Sequence, residues 1–285
     1  MEITKKSFSD GFSWVLSSLK LCLPKAPAFI AMSVLASIVF TVLVLVLGLV
    51  GGLLAKIPVL GIIIAIAVAI VVFVLSLGFY CGFIRAIQTM IDNGKVTFGS
   101  FFFALKDKKF LIKIAPFAII LGIAIFGTIA FFGYILYLTL SSGITVLAYI
   151  LAIIGLLVLV MLYIYGTYAL ILFVQRNDPK IFATFSDTAK GLSNNILPIV
   201  GMYLGLVAVS IIVSVICNIF VSIIQANPSS IVLALVLLLI ILVLQCIYAM
   251  LSLTSICVSA KEIFVENDVE EAVETEENTN SENQQ

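Results

Sequence analysis

The chain reads as an all-α membrane protein: six transmembrane helices arranged as three hairpin repeats, each preceded by a cytoplasmic amphipathic interfacial helix. Three observations predict this class. First, four stretches, 26–55, 57–84, 114–175 and 191–260, contain no Asp, Glu, Lys or Arg and together make up 190 of 285 residues. A soluble fold has no charged exterior to build from such material, whereas roughly 20 apolar residues cross a bilayer core. Second, the composition is 63% hydrophobic and 11% charged, far from the soluble norm of about 45–50% and 25%. Third, the charges are sorted by position. Of the 15 basic residues, 14 fall on one face of the six-span arrangement, and Lys56 stands alone on the other. The positive-inside rule then places both termini in the cytoplasm.

The first repeat, about 7–84, opens with Ser7 and Asp10 as a capping box. Phe12, Val15, Leu16 and Leu19 follow at i, i+3, i+4 and i+7, the spacing of one helical face. Pro27 suits the first turn of a span over 27–54, Lys56 with Pro58 breaks the run, and a second span covers 59–84. The first apolar run is about twice the length of a signal h-region and lacks a small-residue cleavage pattern, so it reads as a span and not a cleaved leader. The second repeat, about 97–174, has Thr97 as cap, Phe98, Phe101, Phe102 and Leu105 as stripe, and Lys106, Lys108, Lys109 and Lys113 as basic heads. Pro116 marks the entry to a span over 114–139. Ser141-Ser142-Gly143 is a turn composition, and a fourth span covers 144–174. The third repeat, about 178–259, has Asp178-Pro179 as cap and first-turn proline and a stripe of Phe182, Phe185, Ala189 and Leu192. Pro198 opens span five, 196–224, and the turn residues at 225–230 lead to span six, 231–259.

Residues 1–260 thus form the membrane domain. The tail, 261–285, turns acidic after Lys261, with Glu262, Glu266, Asp268, Glu270, Glu271, Glu274, Glu276, Glu277 and Glu282. It carries too little apolar surface to offset its ordering entropy and should be disordered beyond a short helical extension.

The three repeats share a register. An aromatic residue lies 13 positions before each entry proline (Trp14, Phe103, Phe185) and a bulky apolar residue six before (Leu21, Phe110, Leu192). Basic heads with aromatic anchors are what a helix lying in the membrane interface needs, so Phe101, Phe102 and the four lysines at 106, 108, 109 and 113 are candidate lipid contacts. A threefold repeat argues against the paired inverted repeats of many secondary transporters.

Gly11-Phe12-Ser13-Trp14 ahead of Lys25-Ala26-Pro27, Thr97-Phe98-Gly99-Ser100-Phe101-Phe102 after a span ending Gly82-Phe83, and Asn195-Ile196-Leu197-Pro198 resemble uncharacterised bacterial six-span inner-membrane proteins of the YciC-like kind. The resemblance covers about 8–260 and excludes the tail. It implies an inner-membrane location, and it transfers no catalytic residue.

Intramembrane ionisable groups mark ion and proton pathways, and the charge-free spans hold none. With no His, the usual near-neutral acid–base and metal ligand is also missing. The five cysteines show no CxxC spacing and read as small packing residues. We therefore expect no enzyme, cofactor or metal site, and no nucleic-acid partner. Asn218 and Gln245 are the candidate intramembrane polar residues. They differ in depth by roughly 13 Å at 1.5 Å per residue, so each should bond a backbone carbonyl or another helix. Gly48/Gly52, Gly78/Gly82, Gly201/Gly205, Ser210/Ser214 and Ser255/Ser259 permit close helix approach, within the bundle or in a homo-oligomer. Tyr163, Tyr165 and Tyr168 fit an aromatic belt or, alternatively, a solute cage. The leading expectation is a non-enzymatic inner-membrane protein that organises the anionic cytoplasmic leaflet or docks protein partners there in envelope maintenance. The alternative is a permease for a neutral or amphipathic solute without ion coupling. A permease needs a polar-lined cavity reaching mid-membrane, whereas a scaffold can be packed solid.

Overall fold

The computed structural model describes residues 2–54, 60–176, 179–227 and 229–265. Six helices in it are long and apolar enough to cross a membrane. After a two-residue strand β1 (Glu2–Ile3) come α1 (Phe8–Cys22), a 3-10 turn at Leu23–Lys25, and the long helices α2 (Ala26–Leu54) and α3 (Leu60–Asn93). Two single-turn helices, α4 (Phe98–Phe101) and α5 (Phe103–Lys106), precede α6 (Lys108–Ser141) and α7 (Thr145–Gln175). The shorter α8 (Ile181–Asn194), then α9 (Ile196–Ala226), α10 (Ile231–Ile263) and a strand β2 (Phe264–Val265) complete the order.

Three of the long helices, α3, α6 and α10, overrun the expected spans at their basic ends. α3 runs on past Arg85 until Gly94, whose φ of 65° stops it. α6 starts at Lys108 because the Asp107 side chain accepts from the amides of Lys109 and Phe110, satisfying two first-turn donors. Pro116 therefore lies inside α6 and does not mark its start, which corrects the reading of that proline as an entry point. Pro198 does fall in the first turn of α9. At the opposite end the α6–α7 turn uses Gly143 at φ 76°, and Ala226 and Ile231 bound the α9–α10 turn. Lys56, Pro58, Asp178, Pro228 and the acidic residues from 266 onward lie outside the described residues.

α2 packs on α3, α6 on α7 and α9 on α10. The second member of each pair is central: α3, α7 and α10 pack on one another. The core sits at their basic ends, where residues 166–174 of α7 and 254–260 of α10 are all buried. Toward the other end the helices expose Leu49, Val146, Ile153, Val215 and Leu235, the apolar surface that acyl chains cover in a membrane.

The short helices lie against the bundle. α1 packs on α9 and α10, α4 and α5 on α3, and α8 on α7. The six positions that mark the repeat register, Trp14, Leu21, Phe103, Phe110, Phe185 and Leu192, all belong to or pack on the single buried cluster. The register is thus an inward-facing one. α1 approaches α9 closely: a Cβ on Gly11 would stand 2.1 Å from the Pro198 carbonyl oxygen, and one on Gly201 2.7 Å from that of Phe8. Gly201 and Gly205 therefore serve internal packing, while Gly48 and Gly52 have nothing within 4 Å of an added Cβ.

Both described chain ends meet at the basic end. β1 pairs antiparallel with β2, Thr4 N–H donates to the Ile263 carbonyl at 2.9 Å, and Lys6 pairs with Glu262 at 3.1 Å. Lys261 pairs with Asp92, joining α10 to α3. Ile263 and Phe264 are buried, so the packed domain extends to Val265 and not to 260. The Asn195 side chain accepts from Lys6 N–H at 2.8 Å and donates to the carbonyls of Thr4 at 3.1 Å and Gly191 at 3.0 Å.

Candidate functional site

The expected interfacial helix over 97–113 is not continuous. Its residues form the turns α4 and α5 and the start of α6, separated at Phe102 and Asp107. Phe101 is 1% exposed and packs its ring on Phe83 at 4.8 Å and Phe29 at 5.5 Å. It belongs to the protein interior and does not contact lipid, which corrects its place among the lipid contacts. Gly82 is the reason α4 comes so close: a Cβ there would meet the Phe101 carbonyl oxygen at 1.9 Å. Phe102 is half-buried, its ring 6.1 Å from Phe79. Lys106, Lys108 and Lys109 are exposed together around an open groove with Phe103, while Lys113 is half-buried at the start of α6.

The buried face of α8 is also offset from the expected stripe. Thr184, Thr188 and Gly191 are buried, whereas Phe182 is 82% exposed and Ala189 is exposed. Threonine can turn inward here because its hydroxyl donates to the carbonyl four residues back: Thr184 to Lys180 at 3.0 Å and Thr188 to Thr184 at 2.8 Å. Arg176 donates to the Thr184 hydroxyl at 3.1 Å and pairs with Asp187, fixing α8 to the end of α7.

Tyr163, Tyr165 and Tyr168 of α7 do not form one belt. Tyr168 is fully buried, its hydroxyl 2.5 Å from Ser259 Oγ on α10. Tyr165 donates to the Phe185 carbonyl at 2.8 Å and stacks on that ring at 5.9 Å. Tyr163 faces open space at 59% exposure and lines a cavity of about 620 Å³.

This cavity has the features of a site. Its walls come from α2, α3, α7, α9 and α10, and the polar residues on them are Tyr80, Tyr163, Tyr203 and Tyr248, Ser33 and Ser252, and Gln245. The serines bond their own helices, Ser33 to the Phe29 carbonyl at 2.7 Å and Ser252 to that of Tyr248 at 2.9 Å. Each leaves its oxygen lone pairs available. Tyr248 reaches the Leu206 carbonyl only at 3.5 Å. The Tyr203 hydroxyl is buried with no hydrogen-bond partner among the described residues. Among the described residues no charged one lines the space. Volume, apolar walls and a few convergent polar groups match the usual description of a small-molecule pocket, about 300–1,000 Å³.

Gln245 lies in this wall, its amide nitrogen 3.7 Å from Cys217 Sγ on α9, the interhelical bond expected of it in weak form. Asn218 does not join it. It lies in a shallow groove made by α9 alone, between Val215 and Asn227. Tyr80, Tyr203 and Tyr248 were not singled out in the sequence. The signal available was a tyrosine on each of α3, α9 and α10, yet only the packing brings them to one place. No family model matches the chain, and neither the curated proteins nor the solved structures searched contain a match.

Proposed function

We propose that this chain is a non-enzymatic, multi-pass inner-membrane protein that takes a neutral or amphipathic solute into the tyrosine-lined cavity beside α10, without ion coupling. Its three helix pairs, α2–α3, α6–α7 and α9–α10, are read as repeats, with the basic end in the cytoplasm. The observation that carries the reading is the cavity: uncharged hydrogen-bonding groups converge in apolar walls, reaching Gln245. A charged solute would be left without a counter-charge there, at a cost of many kcal/mol. A neutral one finds hydroxyl and amide partners. The YciC-like resemblance supports the location.

A basic patch supports a second role, the one expected first from the sequence. Lys106, Lys108 and Lys109 are exposed beside the half-buried Phe103. Each such residue near an anionic surface contributes about 1 kcal/mol, so this end would gather anionic lipids of the cytoplasmic leaflet or dock protein partners or a second copy there.

The test is native mass spectrometry of the full chain released from detergent micelles, comparing wild type with Ala249→Trp, which fills the cavity from an exposed position on α10. A bound uncharged molecule present in the first and lost in the second supports the reading. Identical spectra, or a bound species that is an anion in both, refute it.

A further inference from the structure

The position of the cavity's closed and open ends carries the reading further, to the class of ligand. Phe29 and Phe83 form part of its wall, and both rings pack on Phe101, with centroids 4.8 to 5.8 Å apart among the three. Phe101 is 1% exposed and is held there by the contact of α4 with α3 at Gly82. Three phenyl rings from three elements thus stand between the cavity and the basic end.

The exposed part of the wall lies elsewhere. Tyr163 is 59% and Val207 52% exposed, and Gln245 is exposed too. Tyr163 stands 13 residues before Arg176, Val207 12 after Asn195 and Gln245 16 before Lys261. At 1.5 Å per residue these positions are about 18–24 Å from the basic ends of their helices. The hydrocarbon core is about 30 Å thick, so surface exposed at that depth faces acyl chains. Whatever enters there is already dissolved in the membrane.

We propose, on the strength of the solute-binding reading above, that the cavity is loaded from the bilayer and that its ligand is an uncharged lipid with ester or hydroxyl oxygens at its polar end. Such oxygens accept from the Tyr163 hydroxyl and the Gln245 amide, which lie on the exposed part of the wall, and a hydrogen bond met there offsets the cost of burying the lipid's polar end. The apolar remainder of the lipid continues along the exposed outer halves of α9 and α10. A phosphate-bearing lipid is disfavoured, because no cation among the described residues lines the space.

The experiment uses the full chain in vesicles of phosphatidylethanolamine and phosphatidylglycerol containing a trace of photoreactive diacylglycerol. Parallel vesicles carry photoreactive phosphatidylglycerol, or a water-soluble uncharged diazirine alcohol in the buffer on both sides. We expect diacylglycerol adducts at 203–207 and 245–252. Their yield should fall about tenfold in Ala249→Trp, the factor that corresponds to about 1.4 kcal/mol of lost contact, and should fall also in Tyr163→Phe, which keeps the ring and removes only the hydroxyl. Labelling of the same residues by the aqueous alcohol but not by the lipid overturns loading from the bilayer while leaving the cavity a binding site. Equal labelling by phosphatidylglycerol overturns the uncharged class. Absence of adducts at these residues from every probe overturns both the inference and the reading beneath it.

Discussion

The contact between α1 and α9 gives a substitution whose sign separates packing from helix propensity. In a free helix Gly→Ala is stabilising by about 1 kcal/mol. In the fold, the new Cβ at residue 11 would lie 2.1 Å from the Pro198 carbonyl oxygen and 2.6 Å from the Met202 nitrogen. Ordinary contact begins near 3.4 Å, so the helices must part by about 1.3 Å, and a gap of 0.5–1 Å already forfeits a quarter to a half of a dispersion well. Overpacking costs about 1–3 kcal/mol, and the upper end applies because backbone stands on both sides. Net of the propensity gain, Gly11→Ala should destabilise by about 2 kcal/mol. Gly133→Ala in α6 is the matched control, since nothing lies within 4 Å of its added Cβ; it should be neutral or stabilising by up to about 1 kcal/mol. The chain's single tryptophan reports directly: Trp14 lies on α1 and is 1% exposed. Denaturation in detergent followed by its emission should show an earlier transition for Gly11→Ala, with a red shift as α1 leaves α9, and no such change for Gly133→Ala. A Gly11→Ala protein as stable as wild type with unshifted emission would refute the close approach and the placement of α1.

Further outcomes are expected at four other places. Asn195→Ala removes three hydrogen bonds to residues 4, 6 and 191, and each buried group left unmet costs about 1–3 kcal/mol. Amide exchange at Lys6 should therefore accelerate, and unchanged exchange would show that the N-terminal segment is held by other contacts. Gln245→Leu loses one bond at 3.7 Å, so stability should fall by less than about 1 kcal/mol while capture of the neutral ligand weakens; a large loss of stability would make Gln245 structural. In a cysteine-free background, Ser142→Cys and Asn227→Cys should react with an impermeant maleimide from outside and Lys190→Cys should not, the reverse pattern inverting the topology. Replacing Lys106, Lys108 and Lys109 by Gln should reduce the anionic lipid that co-purifies at low salt, and salt should reproduce that loss in the wild type; retention unaffected by either change would show that the patch does not bind the leaflet electrostatically.

The six-helix membrane class, the ends of most spans and the clustering of basic residues at helix ends on one side were determined by the sequence itself. Charge-free runs, turn compositions and glycine at positive φ act locally, through solvation and backbone sterics that need no partner. The register of Trp14, Phe103 and Phe185 was legible too, but its direction was not. An apolar stripe is equally served by acyl chains or by another helix, and only packing decided that these residues turn inward and that Phe101 packs on Phe29 and Phe83. The site was less legible still. Tyr80, Tyr163, Tyr203, Tyr248 and Gln245 come from four helices, and nothing in the spacing along one helix states which residue of another stands opposite. That depends on how α3, α7, α9 and α10 cross and pack on one another. The tertiary structure decided where these hydroxyls meet and that space was left between them.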